Sequence, residues 1–445
     1  MSVSAPPSPS TTRSAPDPGE AAPVLPDGPL SEDEQRILGT PTRRALFAEG
    51  LLSSASDAAL PFLPVYLVVL GATTAQVGLL AAATAFAGLL ALFPAAWLAR
   101  RTPSRVRVLM AGNWTMRSIV LVIALVPFTL GAQAAILALI VLGGVRVLLS
   151  SLTHPSWMSL FADVVPGRLT GAFNARRSLF ASVIAMSTVP VAGWAIGGIG
   201  GVPGYQVAFA ACAVLGVLGT FAYTRVAEPP RAVTHTRGHA YGKVLRDMRY
   251  RRFLLAQMCL HGFATLSGPF VIVYLVRSLG AAPGEVGLMA TGEAVAAVAG
   301  QLLMGVLVAR FASRGLFVAA ILGIALAPVA WLTISTPWMA VFPIFLGGMS
   351  WAVCHLAVFN LLLEHAPAED IPEYVAAQQL AMLSAGFVGP LVGSVLVAHV
   401  GIPVVFALSA VGRLLAIPLF VAPVPTWAGL ATWARARLRP ASLSG

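Results

Sequence analysis

The second half of this chain repeats the order of the first. Arg43-Arg44, Pro61-Phe62 and Tyr66-Leu67 return as Arg251-Arg252, Pro269-Phe270 and Tyr274-Leu275, each 208 residues on. Val77-Gly78-Leu79, Arg101 and Arg105 return 209 residues on as Val286-Gly287-Leu288, Arg310 and Arg314. Asp163 and Pro166 correspond to Glu364 and Pro367, and Pro190 and Gly193 to Pro390 and Gly393. Each copy is roughly 200 mostly apolar residues, enough for six membrane-crossing helices. The 445 residues are 58% hydrophobic and 10% charged, with a mean hydropathy of +0.84. A soluble core needs far fewer apolar residues, so lipid is the solvent for most of this chain.

Apolar runs predict twelve spans, near 45–70, 75–99, 106–130, 133–160, 178–198, 204–224, 253–279, 285–309, 315–335, 339–362, 376–399 and 403–423. The fold class is therefore an all-α membrane protein of two pseudo-symmetric six-helix bundles. Residues 43–224 and 251–424 are the bundles, and 225–250 is a cytoplasmic linker. Residues 1–42 and 425–445 are cytoplasmic tails, the first rich in Ser, Pro and Ala and expected to be disordered. It lacks the pattern of a signal peptide. Amphipathic stretches at 241–250 and 427–438 suit the anionic face of a bilayer, or simply solvent.

The net charge of +11 does not point to nucleic acid, because its distribution follows the membrane. Arginines cluster after spans 2, 4, 6, 8 and 12, whereas the loops after spans 1, 3, 5, 9 and 11 carry no charge. Basic loops stay in the cytoplasm, which puts both termini there and the protein in the cell membrane. Cys212, Cys259 and Cys354 lie singly in apolar runs, which suits packing rather than disulfide or metal chemistry. No catalytic residue, metal ligand or cofactor is expected.

The stretch 96–105 reads Ala-Trp-Leu-Ala-Arg-Arg-Thr-Pro-Ser-Arg, and 305–314 reads Gly-Val-Leu-Val-Ala-Arg-Phe-Ala-Ser-Arg. Both resemble the loop signature of the major facilitator superfamily, Gly-x-x-x-Asp-Arg-x-Gly-Arg-Arg, with its Asp replaced by Arg100 and Ala309. Leu60 to Tyr66 with Leu70-Gly71 is similar to the opening of that family's drug and metabolite antiporters. Gly386-Phe-Val-Gly389-Pro390-Leu-Val-Gly393 resembles its antiporter motif, here in span 11 rather than span 5. The resemblance covers about 40–425. It implies secondary transport by alternating access, with spans 1, 4, 7 and 10 around a central cavity.

Ionisable groups inside spans mark sites by default. Asp57, Arg117, Arg146, Glu293 and His355 are the candidates for proton coupling and substrate contact, joined by Tyr66, Tyr274 and Asn360 as cavity groups. Burial favours a protonated carboxyl and a nearby cation the ionised one, so an acid that changes partners can load and release a proton. The alternative for each is a static buried pair that sets helix register. Arg413 in span 12 reads as structural or lipid-facing, and Glu49 and Arg277 as interfacial. Each half also has arginines after its second span and an acid ending its fourth. Arg101 or Arg105 with Asp163, and Arg310 or Arg314 with Glu364, form the expected cytoplasmic gate.

Without a Walker phosphate loop, an ion gradient supplies the energy. The preferred function is proton-coupled export of a small amphipathic molecule by a monomeric carrier; uptake of a sugar or other nutrient is the alternative. A membrane enzyme acting on lipid-linked substrate, the remote alternative, needs larger polar loops than these.

Overall fold

A computed structural model describes residues 41–421, apart from 103, 166, 227, 229–246, 308–309 and 367–369. Residues 1–40 and 422–445, most of the linker, and with them the stretch 427–438 and residues 241–246 of the other amphipathic stretch, lie outside the described residues, whereas residues 248–250, expected in the linker, begin span 7. The described residues are nearly all helical, with no strand. Span 1 is two helices, Pro41–Ser56 and Leu63–Val69, joined by a 3-10 turn at Leu60–Phe62. The break follows from Pro61, which has no N–H to offer the carbonyl of Asp57; Leu60 takes that carbonyl instead at 3.0 Å. Spans 2 to 6 are Thr74–Arg101, Arg105–Thr129, Ala132–Val164, Gly167–Ile199 and Gly201–Phe221. Spans 7 to 10 are Met248–Val273 with a π-helical turn at Tyr274–Ser278, then Pro283–Leu307, Ser313–Trp331 and Val341–His365.

Among the described residues eleven segments are long and apolar enough to cross a bilayer, the last being the 49 residues Glu373–Val421. At about 1.5 Å per residue that segment is more than twice the thickness of the hydrocarbon layer. Gly401, at φ +81°, reverses it and divides it into spans 11 and 12. Gly200, at φ +79°, makes the same turn between spans 5 and 6. Only glycine takes this conformation without strain, so the repeat extends to the turns that fold each half.

Helix pairs match between the halves. Span 2 packs on span 4 as span 8 does on span 10, and span 3 on span 6 as span 9 does on span 12. The halves meet through spans 2 and 11 and through spans 5 and 8. One buried core takes residues from both halves and includes Ala72, Ala135, Ala281 and Ala340, beside the loops that follow spans 1, 3, 7 and 9. Toward the basic loops the core divides: Leu46, Leu109 and Tyr223 pack in one half, and Phe253, Phe317 and Leu361 in the other. The halves are thus sealed together on the uncharged face and packed separately on the basic face.

Candidate functional site

Glu49, Ser53 and Asp57 recur every fourth residue and so share one face of span 1. Asp57 Oδ1 accepts from Arg117 Nη1 of span 3 at 3.2 Å and from Arg146 Nη2 of span 4 at 3.0 Å. Arg117 Nη2 donates to Ser53 Oγ at 3.1 Å, and Ser53 Oγ donates to Glu49 Oε1 at 2.8 Å. Glu49 Oε2 pairs with Arg177 Nη2 of span 5 at 3.2 Å. The Arg177 guanidinium lies 4.8 Å above the Trp157 ring. The result is one polar column of three guanidiniums and two carboxylates, crossing spans 1, 3, 4 and 5. The side chain of Arg117 is 6% exposed and that of Asp57 44%, so the acid has access to water that the cation lacks. A Cβ on Gly216 would overlap the Arg117 side chain, so span 6 makes room for the guanidinium.

The sequence reading anticipated Asp57, Arg117 and Arg146 but not their extension. Glu49 is not interfacial: span 1 begins at Pro41, and Glu49 is buried. Arg176 and Arg177 are not loop residues, because span 5 begins at Gly167. The four-residue spacing of Glu49, Ser53 and Asp57 was the available signal.

A cavity of about 380 Å³ lies between the halves, walled by spans 1, 2, 4 and 7. Leu60, Pro64, Leu80, Pro269 and Ile272 make it apolar, and Arg146 is the charged residue in its wall. The same guanidinium therefore faces the cavity and holds Asp57. Neither expected tyrosine lines it. Tyr66 is wholly buried, stacked on Tyr205 with ring centroids 4.8 Å apart, because the second piece of span 1 packs against span 6. Tyr274 sits edge-on to Phe406 at 5.8 Å. Both are packing residues.

Glu293 and His355 fall in the second half, away from Asp57. Glu293 faces a cavity of about 260 Å³ that also contains Arg413. Arg413 is buried and inward-facing, not turned to lipid. His355 lines a separate cavity of about 270 Å³ with His261, Gln257 and Gln378. Trp351 stands in the wall of both, and Asn360 lines none of the three. Among the described residues no group of three or more His, Cys, Asp or Glu is placed to hold a metal.

On the basic face, Arg105 is buried against Glu228, which follows span 6. Arg105 Nε and backbone N–H reach Glu228 Oε1 at 3.0 and 2.6 Å, and Ser104 Oγ donates to Oε2 at 2.8 Å. Burial alone would raise the Glu228 carboxyl, but these hydrogen bonds outweigh it and hold the group below its ordinary 4.5. Arg101 lies over Trp97 at 5.2 Å. The side chain of Asp163 lies outside the described residues. The expected pair in the second half does not form: Arg310, Arg314 and Glu364 are all exposed, with no ion pair among the described residues. Water competes there, and an exposed pair gains only about 0–1 kcal/mol from closing.

Solved structures that resemble this fold include three transporters. The nucleoside transporter NupG matches with a TM-score of 0.67 and 13% identity, over 85% of this chain and 98% of its own. A bacterial homologue of the iron transporter ferroportin, in its inward-facing state, matches at 0.68 and 18%, over 87% and 98%. A bacterial metal transporter matches at 0.64 and 18%, over 86% and 98%. At these identities the likeness is one of fold. No curated protein sequence matches. The profile of the Major Facilitator Superfamily matches twice, at residues 45–266 and 253–435, once for each copy of the repeat. With twelve spans among the described residues in two matched halves, the chain belongs to the Major Facilitator Superfamily and is a multi-pass membrane transporter, not an enzyme.

Proposed function

We propose that the protein is a proton-coupled secondary transporter of a small amphipathic molecule, with Asp57 as its coupling carboxylate. The observation that carries this is Arg146, whose guanidinium is shared between Asp57 and the wall of the cavity between the halves. An apolar cavity with one charged anchor suits an amphipathic ligand. While Asp57 is ionised it holds Arg146. A proton on Asp57 removes the negative charge and frees Arg146 for an anionic or accepting group on the substrate. By linkage, a substrate on Arg146 raises the affinity of Asp57 for its proton by the same factor. Proton and substrate then bind together, which supports co-transport and uptake down a proton gradient. With the basic face in the cytoplasm, the seal on the opposite face makes this conformation open to the inside.

Exchange-type export, expected from the glycine motif of span 11, is the second reading. It requires the substrate to exclude the proton, as a cation would by seating on the half-exposed Asp57. Proteoliposomes separate the two. Acid-outside gradients should drive accumulation of small amphipathic anions in co-transport, and acid-inside gradients should drive accumulation of cations in exchange. Transport indifferent to the pH gradient in both sets rejects Asp57 coupling.

A further inference from the structure

The cavity inside the second half differs from the polar column in one respect: its ionisable residues, Arg413 and Glu293, form no ion pair among the described residues. Arg413 on span 12 is 7% exposed. Its Nη1 donates to the carbonyl of Ile324 at 2.6 Å and its Nη2 to Ser267 Oγ at 3.0 Å. Ser267 is itself fixed by Ser409 at 2.9 Å, so the guanidinium is held from two sides. Among the described residues its buried Nε has no partner, and no carboxylate lies within ion-pair distance of it. Glu293 on span 8 faces the same cavity and has no ion pair or hydrogen bond among the described residues. The two charges are therefore both in the wall and do not reach each other.

A buried guanidinium without an anion costs several kcal/mol, and Glu293, in the same wall, does not pair with it. What keeps them apart is an open space of about 260 Å³. At about 30 Å³ per water, that is room for roughly nine waters, or a molecule about the size of an amino acid. Gly347, Gly348 and Ala327 leave the space, and Trp331, Trp351 and Phe406 give it aromatic walls. Aromatic faces attract alkylammonium groups, and the fixed Arg413 guanidinium, a residue of the cavity wall, suits a carboxylate.

We propose that this cavity binds a small zwitterion, its carboxylate on Arg413 and its ammonium on Glu293. The site lies within one bundle, separated from the central cavity by span 7, and does not depend on proton coupling. Gly268 stands in the wall of both cavities, so span 7 is the partition between them.

The test is equilibrium binding to the purified full chain in detergent, by calorimetry, with no gradient applied. The probes are L-leucine, 4-aminobutyrate and glycine betaine, with isovalerate and isobutylamine as single-charge counterparts of leucine. At least one zwitterion should bind, and the single-charge compounds about tenfold or more weaker. Glu293→Gln should weaken the zwitterion about 10- to 100-fold, the worth of one charged hydrogen bond, and leave isovalerate unchanged. Gly347→Val should abolish binding by filling the space, since a Cβ there meets only Ala327, at 3.6 Å. The proposal is overturned if no zwitterion binds, if isovalerate or isobutylamine binds as well, or if both variants bind like the parent.

Discussion

Asp57→Asn keeps the size of the side chain and one accepting oxygen but cannot ionise. Two hydrogen bonds, at 3.2 and 3.0 Å, then lose their charged acceptor. A hydrogen bond to a charged group contributes about 1.5–3 kcal/mol. Asp57 is 44% exposed, so solvent screens part of that. Against this, Arg117 and Arg146 are 6% and 16% exposed, and the lost anion leaves two desolvated cations facing each other. The net destabilisation should be about 1–3 kcal/mol, or a fall of about 1–3 °C in the melting temperature for a chain this long. Arg146→Gln should cost less in the Asp57→Asn background than alone, with a coupling of about 1 kcal/mol or more.

The transport consequence is sharper. In proteoliposomes, Asp57→Asn should abolish accumulation driven by a pH gradient and spare counterflow exchange, while Asp57→Glu should retain part of the coupled activity. Accumulation by Asp57→Asn that still follows the pH gradient would refute the assignment of coupling to this residue, and Glu293 would be the next acid to test. A melting temperature unchanged by the substitution would refute the energetic argument separately.

Glu228→Gln should destabilise the basic face by about 1–3 kcal/mol at pH 7. Because the folded carboxyl lies below its ordinary 4.5, the parent's advantage should be complete above that pH and vanish as pH falls through the folded value, as thermal melts from pH 7 to 3 would show. Tyr66→Phe removes a buried hydroxyl that has no partner, so it should be neutral or stabilising by up to about 1 kcal/mol, with substrate affinity unchanged. Arg310→Ala and Glu364→Ala should each alter stability by less than about 0.5 kcal/mol, and a double-mutant cycle between them should show no coupling. Gly216→Ala should cost about 1–3 kcal/mol by displacing Arg117, whereas Gly305→Ala, with nothing near its Cβ, should be neutral or gain slightly; melting of the two variants decides this.

The fold was legible because the features that determine it are local or repeated. Apolar runs of the right length mark the spans, and Gly200 and Gly401 recur where each half must turn. The charges of the column were legible for a different reason: an ionisable group in lipid needs a cause, so Asp57, Arg117 and Arg146 stood out singly. Glu49 and Arg177 escaped because helices here run past the apolar runs that identify them. Span 5 starts eleven residues before its expected beginning, which turns an orienting loop arginine into a half-buried partner of Glu49. Partner choice was the other limit. Arg105 had an acid to meet in either reading, but that its buried partner is Glu228 depends on how the chain leaves span 6. The exposed pair in the second half was expected from pattern alone, and pattern does not weigh water against an ion pair.

The repeat also shows where the two halves have diverged, and the divergence is chemical. Asp57 corresponds to Thr265, whose hydroxyl serves only backbone carbonyls, Ala385 O of span 11 among them at 3.2 Å. The second half thus replaces an ionisable contact between helices with a neutral one. Arg117 corresponds by the 209-residue offset to Leu326, and Arg413 by the 201-residue offset of the glycine turns to Cys212. Each half therefore buries one arginine where its third and sixth spans meet, but on opposite sides of that contact. In the first half it comes from span 3 and turns inward to an acid on span 1. In the second it comes from span 12, its acid equivalent is absent, and a cavity stands in its place. The same helix framework, with its arginine moved across one interface, has one half whose buried arginine is ion-paired and one half whose buried arginine rests on a carbonyl and a hydroxyl.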